Sequence, residues 1–129
     1  MNTDELRWNA LTERIIACVY SVSNELGCGF LESVYSKAMV DALERAGLSA
    51  QREVRFRVYY EGIDVGEYIA DLVVEGTVLL ELKAVKALDD VHSAQCLNLL
   101  RATNLPICLL INFAKPKVEM KRFMGKRPN

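Results

Sequence analysis

The chain has no CxxC pair and a single histidine, His92, which argues against zinc ligation and against a histidine-built metal site. Its four cysteines, Cys18, Cys28, Cys96 and Cys108, are widely spaced and lie mostly in apolar stretches, as reduced core or boundary thiols of a cytoplasmic protein would. No apolar run approaches the ~20 residues needed to span a bilayer, and no signal-peptide pattern opens the chain, so a soluble, cytoplasmic protein without a membrane partner is expected. Repeats, low-complexity tracts and linkers are also absent. Excess charge of either sign is small: the net charge is −1, unlike the strongly basic footprint of a non-specific nucleic-acid binder.

What remains is one domain spanning residues 1–129, long enough to bury roughly two thirds of its unfolded surface in a core. The charge it does carry is uneven. Residues 1–114 hold ten Lys or Arg against sixteen Asp or Glu, whereas 115–129 hold six against one. Lys115, Lys117, Lys121, Arg122, Lys126 and Arg127 can be read as a phosphate-tracking stretch or as a solubilising tail, and Arg52, Arg55 and Arg57 form a second basic cluster.

Periodicity orders the elements. After a capping signal at Asn2-Thr3-Asp4-Glu5, the residues Leu11, Ile15, Val19, Val22 and Leu26 recur at helical spacing until Gly27 and Gly29. A second helix carries Leu31, Val34, Tyr35, Ala38, Ala42 and Leu43 in one stripe and ends at Ala46-Gly47. A strand from about Gln51 to Tyr60, a tight Glu61-Gly62 turn and two further strands form a meander. A third helix is expected from about Asp89 to Thr103, a buried strand over Ile107–Phe113, and an edge strand over Val118–Met124. The order ααβββαββ describes an α/β sandwich whose meander is extended by a strand reached through a crossover helix.

The most informative segment is ADLVVEGTVLLELKAV, in which Asp71 and the Glu81-Leu82-Lys83 triplet flank the turn at Gly76. Both arms alternate with period two, so Glu81 and Lys83 project together. Positions 71 and 81 are equidistant from Gly76. An odd-length loop would place Asp71 opposite or diagonal to Glu81 on one face, and a two-residue loop would place them on opposite faces. Gly76 supplies the positive φ that three-residue loops commonly need, which favours the odd loop. Two carboxylates with a nearby ammonium suit metal-dependent phosphodiester cleavage: hard oxygen ligands hold Mg²⁺ or Mn²⁺, and Lys83 orients or deprotonates water. The competing reading is a solvated strand face with a cross-strand ion pair.

With its elements placed, the chain resembles the PD-(D/E)xK nuclease superfamily. Gly29-Phe30-Leu31-Glu32-Ser33-Val34-Tyr35 is similar to the G-x-x-E-x-x-Y string that names a small bacterial family of candidate nucleases, the GxxExxY proteins, and the likeness runs from about Leu11 to Phe123. The resemblance implies a restriction-endonuclease-like αβββαβ core, a mixed sheet flanked by helices, with an extra N-terminal helix. It implies a Mg²⁺- or Mn²⁺-dependent nuclease in which Glu32, Asp71, Glu81 and the Leu82 carbonyl hold metal and Lys83 acts on the attacking water. Gln95 matches the family's helical glutamine, and its long amide needs a partner if buried. The implied partner is nucleic acid, DNA before RNA, with a homodimer or another protein aiding target choice. A catalytically inactive nuclease-fold module, acting in nucleic-acid binding or protein assembly, is the alternative. Three positions are weighed apart from the site. Ala70 replaces the proline of the superfamily's name, Leu99 stands where many relatives have a tyrosine, and His92 is read as a surface or capping residue. Tyr35 is read either as a site hydroxyl or as a core tyrosine with its tip at the edge.

Overall fold

The computed structural model describes residues 2–125, in the order α1 (Thr3–Leu26), α2 (Glu32–Arg45), β1 (Ala50–Tyr60), β2 (Ile63–Val74), β3 (Val78–Lys83), α3 (Asp90–Thr103), β4 (Ile107–Asn112) and β5 (Glu119–Met124). The ends of the helices follow local chemistry. Asn2 Oδ1 accepts the Glu5 N–H at 2.8 Å to start α1, and Gly27 stops it at φ 70°. Asp89 and His92 form a capping box at α3, which ends at Asn104 in the left-handed region, φ 58°. His92 Nδ1 accepts the Asp89 N–H at 3.1 Å, so the one histidine is a capping residue, as expected.

The sheet order is β1-β2-β3-β4-β5. The first three strands form the antiparallel meander, α3 crosses over to place β4 parallel to β3, and β5 returns antiparallel as an edge. This is a mixed, restriction-endonuclease-like sheet flanked by helices, with α1 as the added N-terminal helix. Helices cover both of its faces, so β4 is wholly buried and β3 is buried up to Lys83. Ile15, Val19, Met39 and Leu43 of α1 and α2 pack on Leu72, Leu80, Leu82, Leu109 and Ile111. Cys96, Leu99 and Leu100 of α3 pack on Leu79, Cys108 and Leu110 across the sheet. Each fully buried leucine contributes roughly 2–3 kcal/mol, and the alternation along β3 and β4 divides these contributions between the two layers.

β1 and β2 do not keep one face throughout. Ala50, Leu72 and Val74 belong to the α1/α2 side, whereas Val54, Phe56 and Ala70, of the same parity, belong to the α3 side. The exchange occurs between the pairs Arg52↔Leu72 and Val54↔Ala70, at Glu53 and Asp71. Glu53 takes φ 53° there, a left-handed conformation that costs a non-glycine residue roughly 1–2 kcal/mol. The outer half of the β1–β2 ribbon is thereby turned onto α3, and Asp71 sits at the pivot.

Candidate functional site

The Gly76 loop has odd length. Val74 pairs with Val78, leaving Glu75, Gly76 and Thr77 as the loop. Glu75 and Gly76 both have positive φ, 53° and 59°, and the Thr77 N–H donates to Val74 O at 2.9 Å, closing a tight turn. From this turn the pairs Val73↔Leu79 and Leu72↔Leu80 follow, and the ladder ends. The next position in register is Asp71 opposite Glu81, where side chains replace the backbone ladder. The Asp71 N–H donates to Glu81 Oε2 at 2.9 Å, and the Leu82 N–H donates to Asp71 Oδ2 at 2.8 Å. Each carboxyl group thus satisfies a backbone donor that the splayed strands would otherwise leave unpaired.

Glu81 is only 5% exposed. Burial first, and then the negative charge of Asp71, push its pKa up to about 8, while the Asp71 N–H and the Lys83 cation pull the other way. At neutral pH its carboxyl therefore holds a proton and hydrogen-bonds to the Asp71 side chain. Hydrogen bonding to Cys96, burial and the nearby carboxylates raise the pKa of the Cys108 thiol and keep it neutral. Lys83 is half-buried and, among the described residues, forms no ion pair with either carboxylate. Its backbone is fixed from the other side: Lys83 O accepts the Phe113 N–H at 2.9 Å. The adjoining segment is pinned by Asn112, 0% exposed, whose amide accepts from the Val85 and Ala114 N–H groups and donates to Val85 O and Glu119 Oε1.

A cleft of about 160 Å³ opens beside Asp71, lined in part by Glu32, Ser36, Arg52, Glu53, Asp71 and Leu82. Glu32 enters it as the exposed first residue of α2, while Glu81 lies buried beside Asp71 rather than on the cleft wall. Arg52 closes one side, its Nε donating to Ser36 Oγ at 3.0 Å. The structure brings Asp71, Glu81 and Leu82 together through direct bonds and leaves Glu32 as a separate cleft-lining residue. Among the described residues, no group of three or more His, Cys, Asp or Glu side chains is placed to hold a metal ion. The donors nonetheless have the right chemistry for a hard divalent cation, since the paired carboxyls and the cleft carboxylates offer oxygen. Nothing in the sequence pattern marks Glu53 for the cleft, which it lines from a left-handed backbone position.

Other residues resolve differently. Gln95 Oε1 is buried and has no hydrogen-bond partner among the described residues. Tyr35 belongs to the core: it is 0% exposed, its hydroxyl donates to Gly27 O at 2.6 Å and accepts the Phe30 N–H at 3.3 Å, and its ring stacks on Phe113 at 4.5 Å. It holds the loop leading to Glu32 without sharing that residue's exposed face. Leu99 is 1% exposed and packs in the α3 layer. The second basic cluster, Arg52, Arg55 and Arg57, is largely neutralised by its neighbours. Arg55 pairs with Glu67 at 2.8 Å, Arg57 with Asp64 and Glu67 at 3.4 Å, and Arg52 with Glu53 at 3.6 Å. In the basic C-terminal stretch, Lys115 pairs with Glu119 at 3.5 Å and Arg122 donates to Asn9 at 2.9 Å, while Lys126 and Arg127 lie outside the described residues. No described helix is long and apolar enough to cross a membrane.

Comparison with known proteins bears on the fold and the family. The crystal structure of a protein named SSO0001 matches with a TM-score of 0.54 at 16% identity, covering 95% of this chain and 62% of that one, which is a likeness of fold. No curated protein matches the chain. The sequence model of the PD-(D/E)XK nuclease superfamily matches residues 9–123, a span that contains the cleft, the splayed hairpin and all five strands as far as Phe123. The chain belongs to the PD-(D/E)XK nuclease superfamily.

Proposed function

We propose that this protein is a Mg²⁺- or Mn²⁺-dependent nuclease of the GxxExxY kind, hydrolysing nucleic-acid phosphodiester bonds. The observation that carries the reading is the reciprocal pair of bonds between Asp71 and the Glu81-Leu82 backbone and side chain, which holds two carboxyl groups together at the point where the strands part. Asp71, Glu81 and the Leu82 carbonyl would hold the cation, with Glu32 approaching from α2. The N–H and C=O of one strand residue face the same edge, so the Leu82 N–H bond to Asp71 directs its carbonyl toward β2 as well. A divalent cation there supplies Lewis acidity toward a phosphate oxygen and makes water a nucleophile near neutral pH.

The chain's own groups perform the remaining work. Lys83 either orients the attacking water as the ammonium or, as the neutral amine, takes the water's proton at Nζ and becomes the ammonium; in both cases its positive charge offsets the negative charge developing on the phosphate. Gln95 Oε1 accepts a hydrogen bond from Lys83 Nζ or from that water, which gives the buried oxygen the partner it lacks. The test is cleavage of single-stranded, duplex and branched DNA and of RNA, with Mg²⁺ or Mn²⁺ titrated in, beside Asp71→Ala and Lys83→Ala. Both variants should fold and lose cleavage; activity retained in both would overturn the mechanism.

The alternative is a catalytically inactive nuclease-fold module for nucleic-acid binding or assembly. It is favoured by one observation, the lack of a preassembled three-residue metal group among the described residues. Titration calorimetry separates the two. Metal binding that disappears in Asp71→Ala supports the nuclease, and nucleic-acid binding without any metal response supports the module.

A further inference from the structure

The outer β1–β2 ribbon, turned onto α3 by the exchange at Glu53 and Asp71, encloses a second cavity that the cleavage chemistry does not use. It measures about 510 Å³ and is walled by Tyr59 and Tyr68 of the ribbon and by Asn98 and Arg101 of α3, with Arg57 at its side. That volume lies within the roughly 300–1,000 Å³ of small-ligand sites. A β-bulge between Val58 and Tyr59 shifts the register there and allows both of these adjacent residues to line the wall. Tyr59 is 63% exposed and Tyr68 39%, and neither hydroxyl has a hydrogen-bond partner among the described residues. Arg101 forms no ion pair among the described residues; its guanidinium reaches only Asn98 Oδ1, at 3.5 Å.

The cavity is built on β2 and α3, which also carry Asp71 and Gln95, and it shares no lining residue with the Asp71 cleft. Tyr68 precedes Asp71 by three residues on β2, about 10 Å of strand, and Asn98 follows Gln95 by one helical turn on α3. Exposed aromatic faces, one uncommitted guanidinium and an amide able to donate and accept are the chemistry that receives a nucleobase and its phosphate. A recess between a strand pair and a helix admits one splayed base, whereas a paired and stacked duplex presents none to it.

We propose that this cavity is a base-stacking subsite for an unpaired nucleotide, belonging to a strand whose neighbouring phosphodiester lies at Asp71, Glu81 and Lys83. The inference rests on the nuclease reading and sharpens it: the substrate is single-stranded, or locally unpaired next to the cleaved bond. Tyr59 and Tyr68 stack the base, Asn98 meets its edge and Arg101 meets the phosphate.

The experiment measures fluorescence anisotropy of a labelled single-stranded oligonucleotide of about twelve nucleotides, in EDTA to prevent cleavage, with a hairpin duplex as competitor. Tyr59→Ala and Arg101→Ala alter exposed side chains, and circular dichroism verifies that both fold. Each should weaken binding by roughly five-fold or more, the lower end of what one stacked base contributes, and the duplex should compete poorly. Affinity unchanged in both variants would overturn the subsite while leaving Lys83-dependent cleavage intact. Sedimentation showing that Tyr59→Ala converts a dimer to a monomer, without loss of oligonucleotide affinity, would assign the face to a second copy of the chain instead. A wild-type protein that neither binds nor cleaves any oligonucleotide would overturn both the subsite and the nuclease reading.

Discussion

Glu81→Gln separates the electrostatic demand of the site from its shape. Glutamine keeps an oxygen to accept the Asp71 N–H and adds an NH₂ that can donate to the Asp71 carboxylate, so the geometry of the splayed hairpin should persist. What disappears is ionisation. Burial and Asp71 push the pKa of Glu81 in the folded protein from an ordinary 4.5 up to about 8, so the native state holds a proton that the unfolded chain releases. A raised carboxyl pKa contributes full stability below the unfolded value and loses it progressively as pH rises toward the folded value. At about 1.4 kcal/mol per pH unit, the interval from 4.5 to about 8 amounts to roughly 5 kcal/mol, an upper bound because strand relaxation and water entry soften the penalty. The assay is urea unfolding followed by circular dichroism from pH 5 to 9, without metal, on wild type and variant. The variant's advantage should grow across that window by about 2–5 kcal/mol, while cleavage is lost at every pH. An identical stability difference at pH 5 and pH 8.5 would refute the claim that the native pair retains a proton.

Three further substitutions probe the support around the hairpin. Gln95→Leu removes a buried oxygen that has no partner, so urea unfolding should show unchanged or improved stability, by up to about 1 kcal/mol, while cleavage falls at least ten-fold. Tyr35→Phe keeps the stack on Phe113 but strands Gly27 O and the Phe30 N–H; it should cost about 1–2 kcal/mol in denaturant titration and slow cleavage several-fold through a looser Glu32. Asn112→Ala deletes the amide that meets Val85, Ala114 and Glu119, and a loss of about 3 kcal/mol or more is expected from thermal or urea unfolding.

The part of this architecture legible in the sequence is the part carried by local period and turn chemistry. Two period-two arms around Gly76 led to an odd loop and to Asp71 opposite Glu81, and the observed pairing of Val74 with Val78 has that parity. The capping signal and glycines that bound α1, and the acidic start and following Leu105-Pro106 that bound α3, marked these helices closely for the same reason, since each acts within a few residues of itself. Properties that depend on distant neighbours were not legible. A strand pattern assumes constant faces, so nothing announced that Glu53 and Asp71 would swap them or that Glu53 would reach the cleft. Arg55 and Arg57 of β1 read as part of a basic patch because their neutralising partners, Asp64 and Glu67, are met only once the ribbon's register is known. Asn112 was hidden inside an apolar run, although an amide there was itself a signal that a buried backbone segment needed partners. For Gln95 the sequence posed the right question, and its buried, unpartnered oxygen keeps that question tied to the site.

The position of the hairpin within the sheet explains how the fold sustains a break in its own ladder. β3 pairs with β4 through six successive residues, Val78 to Lys83, but with β2 only through Val78, Leu79 and Leu80. Glu81, Leu82 and Lys83 are therefore anchored along one edge by a buried parallel strand while their other edge is free. The two carboxyl side chains occupy that free edge and satisfy the Asp71 and Leu82 N–H groups. An edge strand could not bear this arrangement, because opening its only ladder would release it from the sheet. A fully paired central strand would have no room for it. The crossover through α3 is what places β4 beside β3, so the same topology that builds the mixed sheet also keeps two acidic groups together where the β2–β3 ladder ends.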